Sequence, residues 1–193
     1  MATQPILWHE IDAVVIGASA GGVDALHRVL TSLPAGFHPA VLVVLHLSAD
    51  RPSGLVELLG PRCRLPVMEA LDKQPVRPGS VIVAPPDYHL LVEADRTVAL
   101  SLDAPVLFSR PAIDPLFESA AIVYRERLLG IVLTGSSADG SAGLAAVRRR
   151  GGLGWVQDPT TAVASTMPSA ALQHAGADQI LTITEICHKM AGP

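Results

Sequence analysis

The segment Gly17-Ala18-Ser19-Ala20-Gly21 sets a hydroxyl between two glycines, behind an apolar run and ahead of a helical pattern. This is the G-x-S-x-G arrangement, in which a sharp strand-to-helix turn lifts a serine off the edge of a sheet. The glycines supply the dihedrals such a turn needs, and the free N–H groups at the start of the next helix can face an oxyanion. A hydroxyl is a weak nucleophile until a base removes its proton. His46 ends the next apolar run, AVLVVLH, and an imidazole, with its pKa of about 6.5, suits the task. Asp139, in IVLTGSSADGSAG, follows a third apolar run and offers the carboxylate that would orient the ring.

Each residue has a plainer reading when taken alone. A histidine closing a buried strand is more often structural than catalytic, and an aspartate beside Gly140 reads as a turn or helix cap. Together the three change weight, because each follows a strand of what should be one parallel sheet, and open parallel sheets bind ligands at that edge. Asp158, in GWVQDP, and His89, after APPDY, have comparable placements and stay open as competitors. The rival chemistry is a phosphate loop, Gly17-x-Ser19-x-x-Gly22. Its middle glycine is a serine, and the ribose-binding acid expected after the second strand is His46, with Asp50 four residues too late. A nucleotide- or phosphate-binding module therefore stands as the alternative, beside a non-catalytic regulatory domain of the same fold.

The elements that must position these side chains follow from the apolar periodicity. Residues 14–16 read as a strand and 21–33 as a helix with Val23, Leu26, Val29, Leu30 and Leu33 on one face. Residues 39–47 form a second strand, and 52–59 a short helix. Between 62 and 109, prolines and short strand-like pieces alternate, and YHLLVEAD with TVALSL reads as a hairpin around an acidic turn at 93–96. Asp114 before Pro115 suggests the cap of a helix whose inner face holds Ile113, Leu116, Phe117, Ala120, Ala121 and Tyr124. A strand at 127–135, a helix at 140–150, a strand at 151–158, a short helix near 169–173, a strand at 179–181 and a helix from about 185 complete the pattern. The expected fold is α/β: a doubly wound, mainly parallel sheet in three α/β/α layers with a small antiparallel hairpin extension, residues 1–193 forming a single domain.

Composition narrows the function classes. Charged residues are 17% and apolar ones 49% of the 193, so the chain folds around a core, and with aromatics at 4% that core is aliphatic. The net charge of −4 has no basic stripe to set against nucleic acid, and Arg148, Arg149 and Arg150 fall at a helix end, where cations favour the dipole. Cys63 and Cys187 lack metal-ligand spacing, so neither a disulfide framework nor a metal is expected. The amino terminus lacks a basic signal region and no apolar run reaches membrane-span length, which points to a cytoplasmic protein without membrane insertion.

Five segments in order, IGASAGG, VVLHLS, SRPAIDPLF, VLTGSSADGSAG and VQDPTTAVASTMPSAA, resemble the catalytic domain of the chemotaxis protein-glutamate methylesterases, the CheB family. The resemblance implies hydrolysis of glutamyl γ-methyl esters on chemoreceptor-like proteins with release of methanol, in some members deamidation of receptor glutamines, and no metal or organic cofactor. It implies Ser19 as nucleophile, His46 as general base and acid, and Asp139 as the residue orienting the histidine, with backbone N–H groups of Ala20 and Ser136 as the oxyanion hole. Ala20 stands where the family often has threonine, Ser136 where methionine is common, and Ser109 where a histidine is common. Family members usually carry a receiver domain ahead of the catalytic one. About a dozen residues precede the first strand here, far fewer than a domain needs. The expectation is a catalytic domain without a receiver, unregulated or controlled by a separate partner.

Overall fold

A computed structural model of the chain describes residues 7–46 and 54–192. One sheet holds seven parallel strands: β1 (Ala13–Ala18), β2 (Ala40–Leu45), β3 (Val67–Glu69), β4 (Val81–Val83), β7 (Leu128–Val132), β8 (Leu153–Gln157) and β9 (Gln179–Leu181). Their order across the sheet is β3-β4-β2-β1-β7-β8-β9. A separate antiparallel pair, β5 (His89–Val92) and β6 (Val98–Ser101), is the hairpin expected from the sequence.

The alternation of side chains across β1 explains the two layers of helices. Val14 and Ile16 face one side, where α1 (Gly22–Thr31) and α6 (Ile183–Met190) bring Leu26, Val29, Leu30, Ile186 and Met190. Ala13 and Val15 face the other, against Ile113, Leu116 and Phe117 of α3 (Ile113–Tyr124), Leu144 and Val147 of α4 (Ser141–Arg149), and Met167 and Ala171 of α5 (Thr166–His174). Strands covered on both faces must be apolar throughout, and all six residues of β1 and of β2 are buried. The short α2 (Leu55–Leu59) adds Leu55 and Leu59 to the first layer.

Several boundaries differ from the sequence reading, each for a local reason. Val23 is 44% exposed, because it lies with Asp24 on the outer side of the first turn of α1, while Gly22 faces inward. The edge strand β3, three residues long and half-exposed, is too short to carry a periodic signal. Asp114 is the second residue of α3 rather than its cap; Ala112 holds the cap position. The closing helix starts earlier, at Ile183, behind a capping box of Thr182 and Glu185. The short helix expected near 169–173 runs from Thr166 to His174. Residues 52 and 53 of the expected second helix lie outside the described residues.

Candidate active site

Ser19, His46 and Asp139 follow β1, β2 and β7, three adjacent strands in the sheet. Ala18 pairs with Leu45 in the parallel register, so Ser19 and His46 are the next residues along neighbouring strands. The His46 N–H donates to the Ala18 carbonyl at 3.1 Å, and the Ser19 N–H to the Thr134 carbonyl at 2.9 Å, extending both ladders to the edge. Ser19 then leaves the sheet through Gly21, whose φ of +78° is the left-handed turn that starts α1.

The imidazole and carboxylate meet directly. His46 Nε2 lies 2.7 Å from Asp139 Oδ2, with the Asp139 side chain fully buried and that of His46 11% exposed. The same carboxylate accepts the backbone N–H groups of Ile113 at 2.5 Å, Asp114 at 3.0 Å and Gly140 at 2.9 Å. Burial by itself would raise the Asp139 carboxyl, but the hydrogen bonds from His46, Ile113 and Asp114 outweigh it and hold the group below the ordinary carboxylate value. An ionised Asp139 fixes the neutral ring with its proton on Nε2, which leaves the lone pair on Nδ1.

Asp139 also does the capping that the sequence reading gave to Asp114, since Ile113 and Asp114 are the first two residues of α3. Asp114 in turn serves the next helix, accepting the Gly143 N–H at 2.6 Å in the first turn of α4. Burial, joined by the charge of Asp139, pushes the Asp114 carboxyl up to about 6.

The nucleophile turn is braced by residues that sequence reasoning missed. Thr134, buried behind it, donates its hydroxyl to the Ala20 carbonyl at 2.8 Å and accepts the Ala164 N–H at 2.9 Å. Its own N–H is taken by Oε1 of buried Gln157 at 2.8 Å. A polar residue at a buried strand end was the available signal. The Gly22 N–H donates to the Ser19 carbonyl at 2.7 Å, and in a planar trans peptide this turns the Ala20 N–H the opposite way. Among the described residues, neither the Ala20 nor the Ser136 N–H has an acceptor. Gly135 must stay small, because a Cβ there would lie 2.9 Å from Ser19 Cβ and 2.6 Å from Met167 Cε.

The competitors fall elsewhere. His89 is buried between the Ala104 carbonyl at 3.2 Å and the Ala112 N–H at 3.1 Å, a brace for the segment leading into α3. Asp158 caps a short turn by accepting the Thr160 N–H at 2.8 Å. Asp50 lies outside the described residues. At the end of α4, Arg149 and Arg150 are exposed as expected, while Arg148 is tied to Asp178 and to the Ala175 carbonyl. Ser109, noted in the sequence only as a departure, places its hydroxyl 3.2 Å from His46 Nδ1.

Comparison with known proteins points to one family from three directions. The family model described as CheB methylesterase matches residues 14–190. A putative protein-glutamate methylesterase/protein-glutamine glutaminase of Leptospira interrogans is 41% identical over 175 residues, covering 91% of each chain. The protein-glutamate methylesterase/protein-glutamine glutaminase of Symbiobacterium thermophilum is 40% identical over 90% of this chain, which spans 48% of that relative's length. The crystal structure of the Thermotoga maritima CheB methylesterase catalytic domain superposes with a TM-score of 0.87 at 32% identity, over 94% of this chain and 97% of that one.

Proposed function

The chain belongs to the CheB methylesterase family and has the fold of its catalytic domain, and on that premise we propose that it is a serine hydrolase acting on glutamyl γ-methyl esters of a methylated chemoreceptor or similar protein. Ser19 Oγ attacks the ester carbonyl while His46 Nδ1 accepts its proton, and Asp139 stabilises the imidazolium through Nε2. The N–H groups of Ala20 and Ser136, which have no acceptor among the described residues, receive the oxyanion. The tetrahedral species collapses by expelling methoxide, which leaves as methanol with the proton from His46. Water, activated by the same imidazole, then releases Ser19 and a glutamate carboxylate. Glutamine amides follow the same steps, with ammonia as the leaving group.

The observation that carries this reading is the buried Asp139 carboxylate 2.7 Å from His46 Nε2, the histidine at the end of β2 and the aspartate in the loop after β7, on either side of the Ser19 turn. The phosphate-loop alternative has no comparable support, since the imidazole ending β2 is engaged with a carboxylate. We read the chain as one catalytic domain working in the cytoplasm; among the described residues no helix is long and apolar enough to cross a membrane. The test is methanol release from receptor-containing membranes methylated in vitro. The wild-type protein should release methanol and Ser19→Ala none, whereas release by the variant would remove Ser19 as nucleophile.

A further inference from the structure

The hydroxyl of Ser109 sits 3.2 Å from Nδ1, the ring nitrogen opposite the one bound to Asp139. With the proton fixed on Nε2, Nδ1 can only accept, so Ser109 is the donor. Nδ1 is also the atom that must take the Ser19 proton. Two hydroxyls therefore have a claim on one lone pair.

Ser109 is held in place by its own loop. Reciprocal backbone hydrogen bonds with Val106, at 2.9 and 3.1 Å, close a two-residue turn over Leu107 and Phe108. The next residue, Arg110, is anchored to Asp87 at 2.6 Å and to the carbonyls of Leu102 and Asp103. Ser109 is poorly equipped to be a nucleophile itself. The first two N–H groups of α3, the helix that follows it, are both spent on Asp139, whereas the Ala20 N–H beside Ser19 has no acceptor among the described residues.

We infer that Ser109 is a positioning residue that masks the base: its hydroxyl occupies the lone pair of His46 Nδ1 in the resting protein and releases it when Ser19 transfers its proton. This rests on the triad reading given above. A neutral hydrogen bond of ordinary strength, lost before the reaction, holds the rate down about 2- to 10-fold.

The first readout is independent of turnover: the Nδ1 ¹⁵N resonance of His46, assigned by its loss in His46→Gln and recorded where the ring is neutral. It should shift toward that of an unbonded imidazole nitrogen in Ser109→Ala and return in Ser109→Thr, and an unchanged resonance overturns the mask. The second is hydrolysis of p-nitrophenyl acetate. Ser109→Ala should raise kcat/KM about 2- to 10-fold, with Ser109→Thr back at the wild-type rate. Loss of a merely structural contact lowers the rate, so an equal or slower Ser109→Ala also overturns the inference. Ser19→Ala separates the two readings. If it is silent while Ser109→Ala matches wild type, only the mask fails. If it stays active while Ser109→Ala is silent, Ser109 is the nucleophile and both readings fail.

Discussion

Asp139 performs two tasks with one buried carboxylate, orienting His46 and accepting the first N–H groups of α3. Replacement by asparagine tests both. An amide oxygen in place of Oδ1 can still accept the Asp114 N–H, but an NH₂ in place of Oδ2 faces both Nε2 and the Ile113 N–H; it forces the ring proton onto Nδ1, removes the lone pair Ser19 needs and leaves Ile113 without its acceptor. Asp139→Asn should therefore remain folded, lose on the order of 1–3 kcal/mol of stability with the charged acceptor, and lose roughly 10⁴ in turnover. Thermal melts and steady-state kinetics check the two parts; near-wild-type turnover would take Asp139 out of the triad. The three residues were legible in the sequence because Ser19 and His46 sit where an apolar run stops and Asp139 lies in the loop after a third, and parallel strands bring such strand ends to one edge. Ser109 and Thr134 were not, since one approaches from a distant turn and the other acts through the Ala20 carbonyl. Neither contact has a sequence spacing that predicts it.

At the scale of elements, α3 and α4 exchange caps: Asp139, just ahead of α4, serves α3, and Asp114, inside α3, serves α4. The two carboxyls differ in their response to pH. Asp139, held below its ordinary value, stabilises the fold above that value, and the contribution is lost as pH falls through its folded pKa. Asp114, raised to about 6, binds its proton more tightly in the folded protein, so stability is fully present below about 3.8 and is lost as pH rises toward 6. Between those values Asp114 titrates in the folded protein while Asp139 stays ionised. Stability should thus fall by on the order of 1–2 kcal/mol across that window, allowing for screening at a partly exposed group. In Asp114→Asn this fall should be absent from the urea midpoints; an unchanged slope would assign it to other groups. The layered parallel sheet was readable from its continuous apolar runs and the hairpin from its alternating pattern. The exchange of caps was hidden, because Asp114-Pro115 has the local signature of a helix start and the true acceptor lies 25 residues away.

The molecule as a whole buries its large apolar residues in two layers and leaves a few outside, and some of those flank the site. Phe108 is fully exposed and Leu107 half so, on the turn that carries Ser109, while Val163 is 81% exposed with its Cβ 2.6 Å from where a Cβ on Gly21 would lie. The turn is unfavourable for the residues it holds. Leu107 and Phe108 have φ of +47° and +66°, in a region suited to an asparagine followed by a glycine. Left-handed conformation costs a bulky residue about 1–2 kcal/mol, and Phe108, fully exposed, recovers none of it by burial. Strained backbone of this kind clusters at active sites and ligand clamps, and the test here is whether the two side chains meet the protein substrate. The double variant Leu107→Asn/Phe108→Gly should then act in opposite directions at two scales. The fold gains about 1–2 kcal/mol, seen as a higher urea midpoint. Hydrolysis of p-nitrophenyl acetate, which is too small to span the turn, stays near the wild-type rate. Demethylation of the protein substrate falls roughly tenfold or more in kcat/KM, the loss expected when an aromatic side chain no longer leaves water on docking. Equal loss on both substrates would place the effect at His46 through Ser109, and unchanged demethylation would mean that the protein substrate does not touch this turn.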